Sequence, residues 1–280
     1  MPELPEVETA RRLLVTWTKG GTIVRAHATD GRSVLETPRT FARDLEGRVI
    51  EDVKRRGKWL RFELDGGTFL FSHLGMTGRW AKRTVDDEPV RWERARLDVR
   101  RKGTIVSARY VDARRFGRLV VAREDIPEWH ELGPDPLVDG VTANALFTSL
   151  AKRKRTLKET LLDQSVLAGV GNIHASEALW KAHLHPLLRS NELAELQASA
   201  LLRGLHWTFE RALAEAEKEG DEPGYINDAG GKNPFKVYDR EGEPCPRDKT
   251  PIERFVLGGR STYFCKTCQA PPKKKAVRKP

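Results

Sequence analysis

The chain has 280 residues, with 50 Lys and Arg against 40 Asp and Glu, a formal charge of +10 and a sequence pI of about 9.6. Hydrophobic residues make up 39% and charged residues 32%, which supports a packed core with a solvated surface and excludes disorder along the whole chain. A globular protein this basic points to a polyanion, nucleic acid first; a chain that is basic only for solubility is the bland alternative. All three cysteines lie between 245 and 268. An odd count in one cluster argues against a secreted disulfide scaffold and for a metal site in a reducing compartment. No run approaches the roughly 20 apolar residues of a membrane span. The opening acids do not fit a signal peptide, so the expectation is a cytoplasmic protein with no membrane partner.

Val7, Ala10, Leu13, Leu14 and Trp17 share one helical face and predict a helix over 4–19, with Pro5 in its first turn and Gly20-Gly21 at its end. From about 22 to 124 the pattern changes to strands. "KWLRFEL", "GTFLFSHL", "ARLDVRR", "GTIVSARYV" and "GRLVVARE" are short and β-rich, separated by turn signals such as Asp65-Gly66-Gly67, and predict a sandwich or barrel. "ELGPDPL", 131–137, predicts a linker. Helices are expected near 142–152, 156–164, 173–183 and 190–219, the last with Leu193, Leu196, Leu205, Phe209 and Leu213 on its apolar stripe. Residues 220–236 are rich in Gly, Pro, Asn and Asp and predict a loop, and "PPKKKAVRKP" predicts a solvated basic end. The resulting division is 1–130, 131–236, a cysteine module at 237–270 and a tail at 271–280.

Two features carry chemistry. Removal of Met1 ahead of Pro2 exposes a secondary amine, and an α-amino group with a pKa of about 7.7–8.0 is partly neutral at physiological pH. A neutral amine attacks an aldehyde-like carbon to give an iminium, and Glu3 and Glu6 stand beside it to move protons. Taken alone, a "MPE" start is far more often only a start. The second feature is Cys245-x-x-Asp248 followed by Cys265-x-x-Cys268, a zinc-finger framework with aspartate at one position. A zinc site with an oxygen ligand, a decayed site and a coincidence all remain open on spacing alone.

"MPELPEVET" resembles the opening of the formamidopyrimidine-DNA glycosylases, a branch of the Fpg/Nei family of bifunctional DNA glycosylase/AP lyases. The resemblance continues in order through "RRGKWL" (55–60), "SHLGMTGR" (72–79), "DARRFGRL" (112–119), "LLDQSVLAGVGNIHASEALW" (161–180), "VYDREGEPC" (237–245) and "GGRSTYFCKTCQ" (258–269). It implies an α+β multidomain fold: an N-terminal β-sandwich with a leading helix, a helix-two-turn-helix domain and a C-terminal β-hairpin zinc finger. It further implies that Pro2 is the nucleophile, Glu3 the adjacent acid/base, Glu6 a supporting acid and Lys58 a hairpin lysine near the lesion's phosphate. Met76, Arg114 and Phe116 match side chains that fill the void left by a flipped nucleotide. Asn172 and Lys158 match phosphate-binding residues, Glu177 an acid facing the active site, and Arg260 the finger arginine that grips phosphates. The implied partner is damaged double-stranded DNA, met by a monomer associated with the nucleoid.

Three departures qualify the match. His174 stands where the family commonly has tyrosine. The 220–236 loop differs from the usual purine-specific form, which leaves open an endonuclease VIII-like preference for oxidised pyrimidines; Leu4 favours the purine branch. Asp248 falls on the family's second cysteine. The expectation is one structural Zn2+ held by Cys245, Asp248, Cys265 and Cys268, with a zincless finger as the alternative. A catalytically silent DNA-binding protein is the rival from another class, and intact Pro2, Glu3 and Lys58 argue against it.

Overall fold

The structure, a computed structural model, describes residues 2–29, 32–218, 220 and 233–271. Most of the expected 220–236 loop and all but the first residue of the basic tail lie outside the described residues. The chain divides into two compact units, 1–132 with 212–227, and 133–211 with 228–280.

The first unit opens with α1 (Leu4–Thr18), whose buried face carries Leu4, Val7, Leu14 and Trp17. Pro5 sits in the first turn, where its missing N–H has no intrahelical partner to lose. Two antiparallel four-stranded sheets follow. One runs in the order β1 (Thr22–Ala28), β6 (Glu93–Arg101), β7 (Thr104–Val111), β5 (Arg79–Arg83). The other runs β2 (Ile50–Arg56), β3 (Trp59–Leu64), β4 (Thr68–His73), β8 (Arg118–Ala122). Alternate residues along β3 point inward, so Leu60, Phe62 and Leu64 bury with Ile23, Val53, Leu70, Leu97 and Tyr110 in a single core that also takes the α1 face. Each fully buried side chain of this size contributes about 1.5–3 kcal/mol relative to exposure.

The strand reading of 22–124 missed one helix. α2 (Pro38–Leu45) begins at Thr37, whose hydroxyl oxygen accepts the Thr40 N–H at 3.2 Å, with Pro38 at its first position. Thr-Pro is a helix-start signal, and Phe41 and Leu45, both fully buried, dock the helix on the core.

The second unit holds α4 (Ala143–Ala151), α5 (Leu157–Leu161), α6 (Asn172–Lys181) and most of α7 (Glu195–Lys218), with the hairpin β9 (Glu253–Leu257) and β10 (Arg260–Phe264). A four-residue α3 (Pro127–His130) closes the first unit. α7 starts five residues later than the spacing predicts, because Ser190–Glu192 forms a separate 3-10 turn. Leu196 is 85% exposed and does not belong to the buried stripe.

Candidate active site and metal centre

Glu3 caps α1 and is buried, and its backbone N–H donates to the Glu6 carboxylate at 2.9 Å. Pro2 immediately precedes it and is also buried. One turn further on is a residue that sequence reasoning passed over. Glu8 is 5% exposed and its carboxylate meets Arg55 at 3.0 Å, Arg11 at 2.8 Å and Arg12 at 3.1 Å. Burial alone would raise its pKa; the hydrogen bonds and charges of Arg11 and Arg55 win and hold it down at about 2. Arg55 has its side chain 1% exposed, and its Nη1 donates to the Gly57 carbonyl at 3.0 Å. Gly57 and Lys58 form the turn between β2 and β3. The pair therefore braces the helix that starts at Pro2–Glu3 against the turn that carries Lys58.

His73 ends β4 beside this turn. Burial, with the nearby charges of Lys58 and Arg118, pulls its pKa down to about 4, so the ring is neutral at physiological pH. Its Nδ1 accepts the Gly75 N–H at 3.1 Å and its ring lies against Trp59 at 4.9 Å.

The three residues expected to fill a void in the duplex sit on two loops that touch. Met76 is 38% exposed and Phe116 56% exposed; Arg114 is exposed, and its guanidinium stacks 4.8 Å from the Phe116 ring centroid. Gly75 has φ +64, and a Cβ there would overlap the Phe116 backbone. The fully buried Asp112 ties the loops together: its Oδ1 accepts from Thr77 Oγ1 at 2.5 Å and from the Arg114 N–H at 3.2 Å, and its Oδ2 accepts from the Gly117 N–H at 2.7 Å. Large apolar side chains held out in solvent by a buried carboxylate are not core packing.

In the second unit α6 is the organising element. The turn before it is held by Gln164, which accepts the Gly169 N–H at 2.9 Å and donates to the Val170 carbonyl at 2.9 Å. Asn172 opens the helix, and its Nδ2 donates to the Ser261 carbonyl at 3.0 Å, beside exposed Arg260 at the start of β10. The structure thus brings Asn172 and Arg260 to one place. Two other expected DNA contacts are found inside the protein. Lys158 is 1% exposed, and its Nζ donates to Ser176 Oγ at 3.0 Å, Thr262 Oγ1 at 2.9 Å and the Ser261 carbonyl at 3.2 Å. Glu177 is 2% exposed and accepts the backbone N–H groups of Lys236, Val237 and Tyr238 at 2.8–3.0 Å. Both hold the C-terminal module against α6. His174 is fully buried, with Nδ1 2.9 Å from Thr208 Oγ1 and its ring against Phe209, a packing position.

Cys245, Asp248, Cys265 and Cys268 converge, with their ligand atoms all within 4.8 Å of one another. Cys245 Sγ is 3.8 Å from Cys268 Sγ, and Asp248 Oδ2 is 3.4 Å from Cys265 Sγ. A tetrahedron with zinc–sulfur bonds of about 2.3 Å has sulfur–sulfur edges of about 3.8 Å, so the donors already stand at zinc spacing. Burial and the neighbouring Cys265 and Cys245 thiols push the Cys268 thiol up to about 12, while the N–H groups of Trp180 and of the Arg247 and Asp248 backbone pull the Cys245 thiol down against its burial. The residues fit one structural zinc, which would cross-link 245–248 to 265–268.

Comparison with known proteins agrees with this geometry. Family models match three successive stretches: the formamidopyrimidine-DNA glycosylase N-terminal domain over residues 1–119, the H2TH domain of the same enzymes over 132–221, and the zinc finger found in FPG and IleRS over 242–271. The formamidopyrimidine-DNA glycosylase of Chloroflexus aurantiacus is 38% identical over 96% of this chain and 98% of its own length. That of Thermus thermophilus is 39% identical over the same shares. Among solved structures, Lactococcus lactis Fpg bound to DNA with an abasic site aligns with a TM-score of 0.84 at 30% identity, covering 95% of this chain and 99% of that one. The MutM (Fpg) structure from Thermus thermophilus aligns with a TM-score of 0.80 at 38% identity, over 96% of this chain and 98% of that one. The chain belongs to the formamidopyrimidine-DNA glycosylase family.

The Glu8–Arg55 pair can be tested by removing either charge. Glu8→Gln removes the carboxylate that the buried Arg55 shares with Arg11 and Arg12, and lowers the unfolding free energy by about 3–5 kcal/mol in urea titration; Arg55→Met, which leaves Glu8 paired with Arg11 and Arg12, costs less. Because the Glu8 pKa is depressed, its contribution is complete above the ordinary carboxylate value of 4.5 and is lost as pH falls toward about 2, so Glu8→Gln shows a flatter acid limb than the parent. At the metal centre, Asp248→Cys slows release of zinc to a chromogenic chelator, and Asp248→Ala speeds it. Zinc absent from the native protein as well as from Asp248→Ala would instead establish a zincless finger.

Proposed function

We propose that this chain is a base-excision-repair enzyme that removes oxidised purines, 8-oxoguanine and ring-opened formamidopyrimidines, from duplex DNA and then cleaves the strand. The observation that carries the reading is the buried Pro2–Glu3 head of α1, braced through Glu8 and Arg55 to the turn that holds Lys58. Membership of the family supports it, as do the DNA-bound structures of the Lactococcus lactis relative.

Once Met1 is removed, the Pro2 nitrogen attacks C1′ of the everted nucleotide. The C1′–base bond breaks and the base leaves with the bonding pair. Glu3 protonates the ring oxygen as the sugar opens, and the nitrogen–carbon bond becomes an iminium. Loss of a C2′ proton then expels the 3′ phosphate, and a second elimination expels the 5′ phosphate. Glu6 fixes the backbone at Glu3, and the Lys58 ammonium neutralises the lesion's phosphate. Met76 and Phe116 fill the vacated stack, and Arg114 faces the orphaned base. Asn172 and Arg260 bind phosphate, the helix N–H groups at Asn172 adding to the same site. Lys158 and Glu177 act from behind, by positioning the finger and the foot of the segment that ends at Lys236. The finger's zinc is structural and takes no part in the chemistry.

No helix among the described residues is long and apolar enough to cross a membrane. Three free cysteines at a zinc site suit a reducing compartment, and we place the protein in the cytoplasm, as a monomer on nucleoid DNA.

Borohydride trapping on duplexes with defined lesions tests the reading. With Met1 removal verified by mass, 8-oxoguanine and formamidopyrimidine duplexes should give a covalent protein–DNA adduct that a form with its N-terminal amine acetylated does not give. Stronger trapping on an oxidised pyrimidine would assign the endonuclease VIII-like preference, and no adduct on any lesion would sink the enzymatic reading.

A further inference from the structure

The segment between β5 and β6 carries an exposed aromatic side chain that none of the chemistry above uses. Trp92 is 46% exposed, and Arg91 lies across it with its guanidinium carbon 4.2 Å from the ring centroid. Trp92 also has φ 66, a left-handed conformation that costs a bulky L-residue about 1–2 kcal/mol. A tryptophan kept outward at such a position is not explained by packing.

The arm beneath it is built, not loose. Arg109 is fully buried, and its guanidinium donates to the carbonyls of Thr84 at 3.0 Å, Asp87 at 2.7 Å and Glu88 at 2.7 Å, and pairs with the Glu93 carboxylate at 3.4 Å. Residues 90–93 close a turn, with the Glu93 N–H donating to the Val90 carbonyl at 2.9 Å. The arm is joined to the Asp112–Gly117 loop by backbone. The Asp112 N–H donates to the Trp92 carbonyl at 3.0 Å, and Arg94 Nε donates to the Asp112 carbonyl at 2.9 Å. Asp112 therefore holds Trp92 with its main chain and the Arg114–Phe116 stack with its side chain. Two arginine-on-aromatic pairs are fixed to one buried residue.

We infer that the Arg91–Trp92 arm is a second duplex-contact element, which grips the flank next to the segment read by Arg114 and Phe116. It rests on the reading of this chain as a DNA glycosylase. The occupant is double-stranded DNA: a guanidinium meets a backbone phosphate, and the indole packs on the adjoining sugar. Positive charge comes from Arg91 on the arm and from Arg114 and Arg115 on the adjoining loop, whereas Asp86, Asp87 and Glu88 are exposed at the foot of the arm, so contact with the duplex is confined to its Arg91–Trp92 tip. Such a contact is independent of sequence and of damage, so it contributes affinity rather than lesion choice.

The test measures binding of the full chain to a duplex with a non-cleavable abasic-site analogue and to its undamaged counterpart. Trp92→Asn keeps a residue that tolerates left-handed backbone and removes the ring. It should leave the urea midpoint unchanged or raised and weaken both duplexes by a similar factor, about 5-fold. Arg91→Gln should reduce the slope of log affinity against log salt by about 0.9, the value of one phosphate contact. Phe116→Ala serves as the reference for the underlying reading and should weaken the lesion duplex more than the undamaged one. Loss in Phe116→Ala with none in the two arm variants overturns the arm alone. Retention in all three overturns the reading of the Asp112–Gly117 loop and the arm with it. Weakened binding by Trp92→Asn that tracks a lowered urea midpoint assigns Trp92 to stability and also overturns the proposal.

Discussion

The ion pair between Glu8 and Arg55 is the constraint on which the chemistry proposed for the first unit depends. An amine at the head of a helix and a lysine on a hairpin turn come from different elements, and each could drift separately. Glu8 lies five residues after Glu3 on α1, and Arg55 lies three before Lys58 at the end of β2. Joining them removes that freedom. Arg55 then spends its second nitrogen on the Gly57 carbonyl, so the turn is fixed by the same guanidinium that fixes the helix. A well-packed apolar pair could fill the same volume with equal or better stability. It could not hold a carbonyl, and the turn would be left to its own conformational entropy.

The second unit solves a similar problem with one helix. α6 is gripped at three levels. Near its N-terminus, Asn172 and Ser176, with Lys158, meet the Ser261–Thr262 stretch of β10. At its middle, Glu177 takes three N–H groups from the chain entering the finger. At its C-terminus, Arg247 donates to the Trp180 carbonyl at 2.6 Å and the Lys181 carbonyl at 3.0 Å, with its guanidinium carbon 3.9 Å from the Trp180 ring centroid. A cation suits that end, where unpaired carbonyls carry the negative pole of the helix. Arg260 and Asn172 are neighbours because β10 is tied to the helix so many times, and the phosphate site proposed for them follows from the docking.

What the sequence made legible follows from how local each signal is. The amphipathic face of α1, the strand runs and the Cys-x-x-Asp and Cys-x-x-Cys pairs are written in neighbouring residues, and each is found where the pattern predicts. Lys158 and Glu177 match family positions, yet apart from Ser176 the partners that bury them, Ser261 and Thr262 for the lysine and the 236–238 backbone for the carboxylate, are far along the chain. Glu8 and Arg55 are separated by 47 positions, and a charged residue one turn into an exposed-looking helix gives no sign of burial. Arg109 and Asp112 were hidden for the same reason. α2 is the exception, since its Thr37-Pro38 start was local and was masked only by the strand signals on either side.

Asp248 shows how a finger can change a ligand without losing its place. Carboxylate and thiolate carry the same formal charge, so the exchange alters softness and bond strength to zinc, not the balance against nearby Arg247, whose Nη1 is 4.0 Å from Cys268 Sγ. Asp248 Oδ1 also accepts the Thr250 N–H at 3.0 Å, a turn-forming bond that a cysteine makes far less well. The 245–250 turn therefore keeps its shape through the backbone while its grip on the metal weakens. Elsewhere the module is anchored by Lys158, Arg247 and the fully buried Gln269, which donates to the Leu184 carbonyl at 2.8 Å and accepts the Cys265 N–H at 2.9 Å. None of these bonds passes through the metal. Aspartate is tolerable at this position because the ion closes a loop that other contacts have already docked.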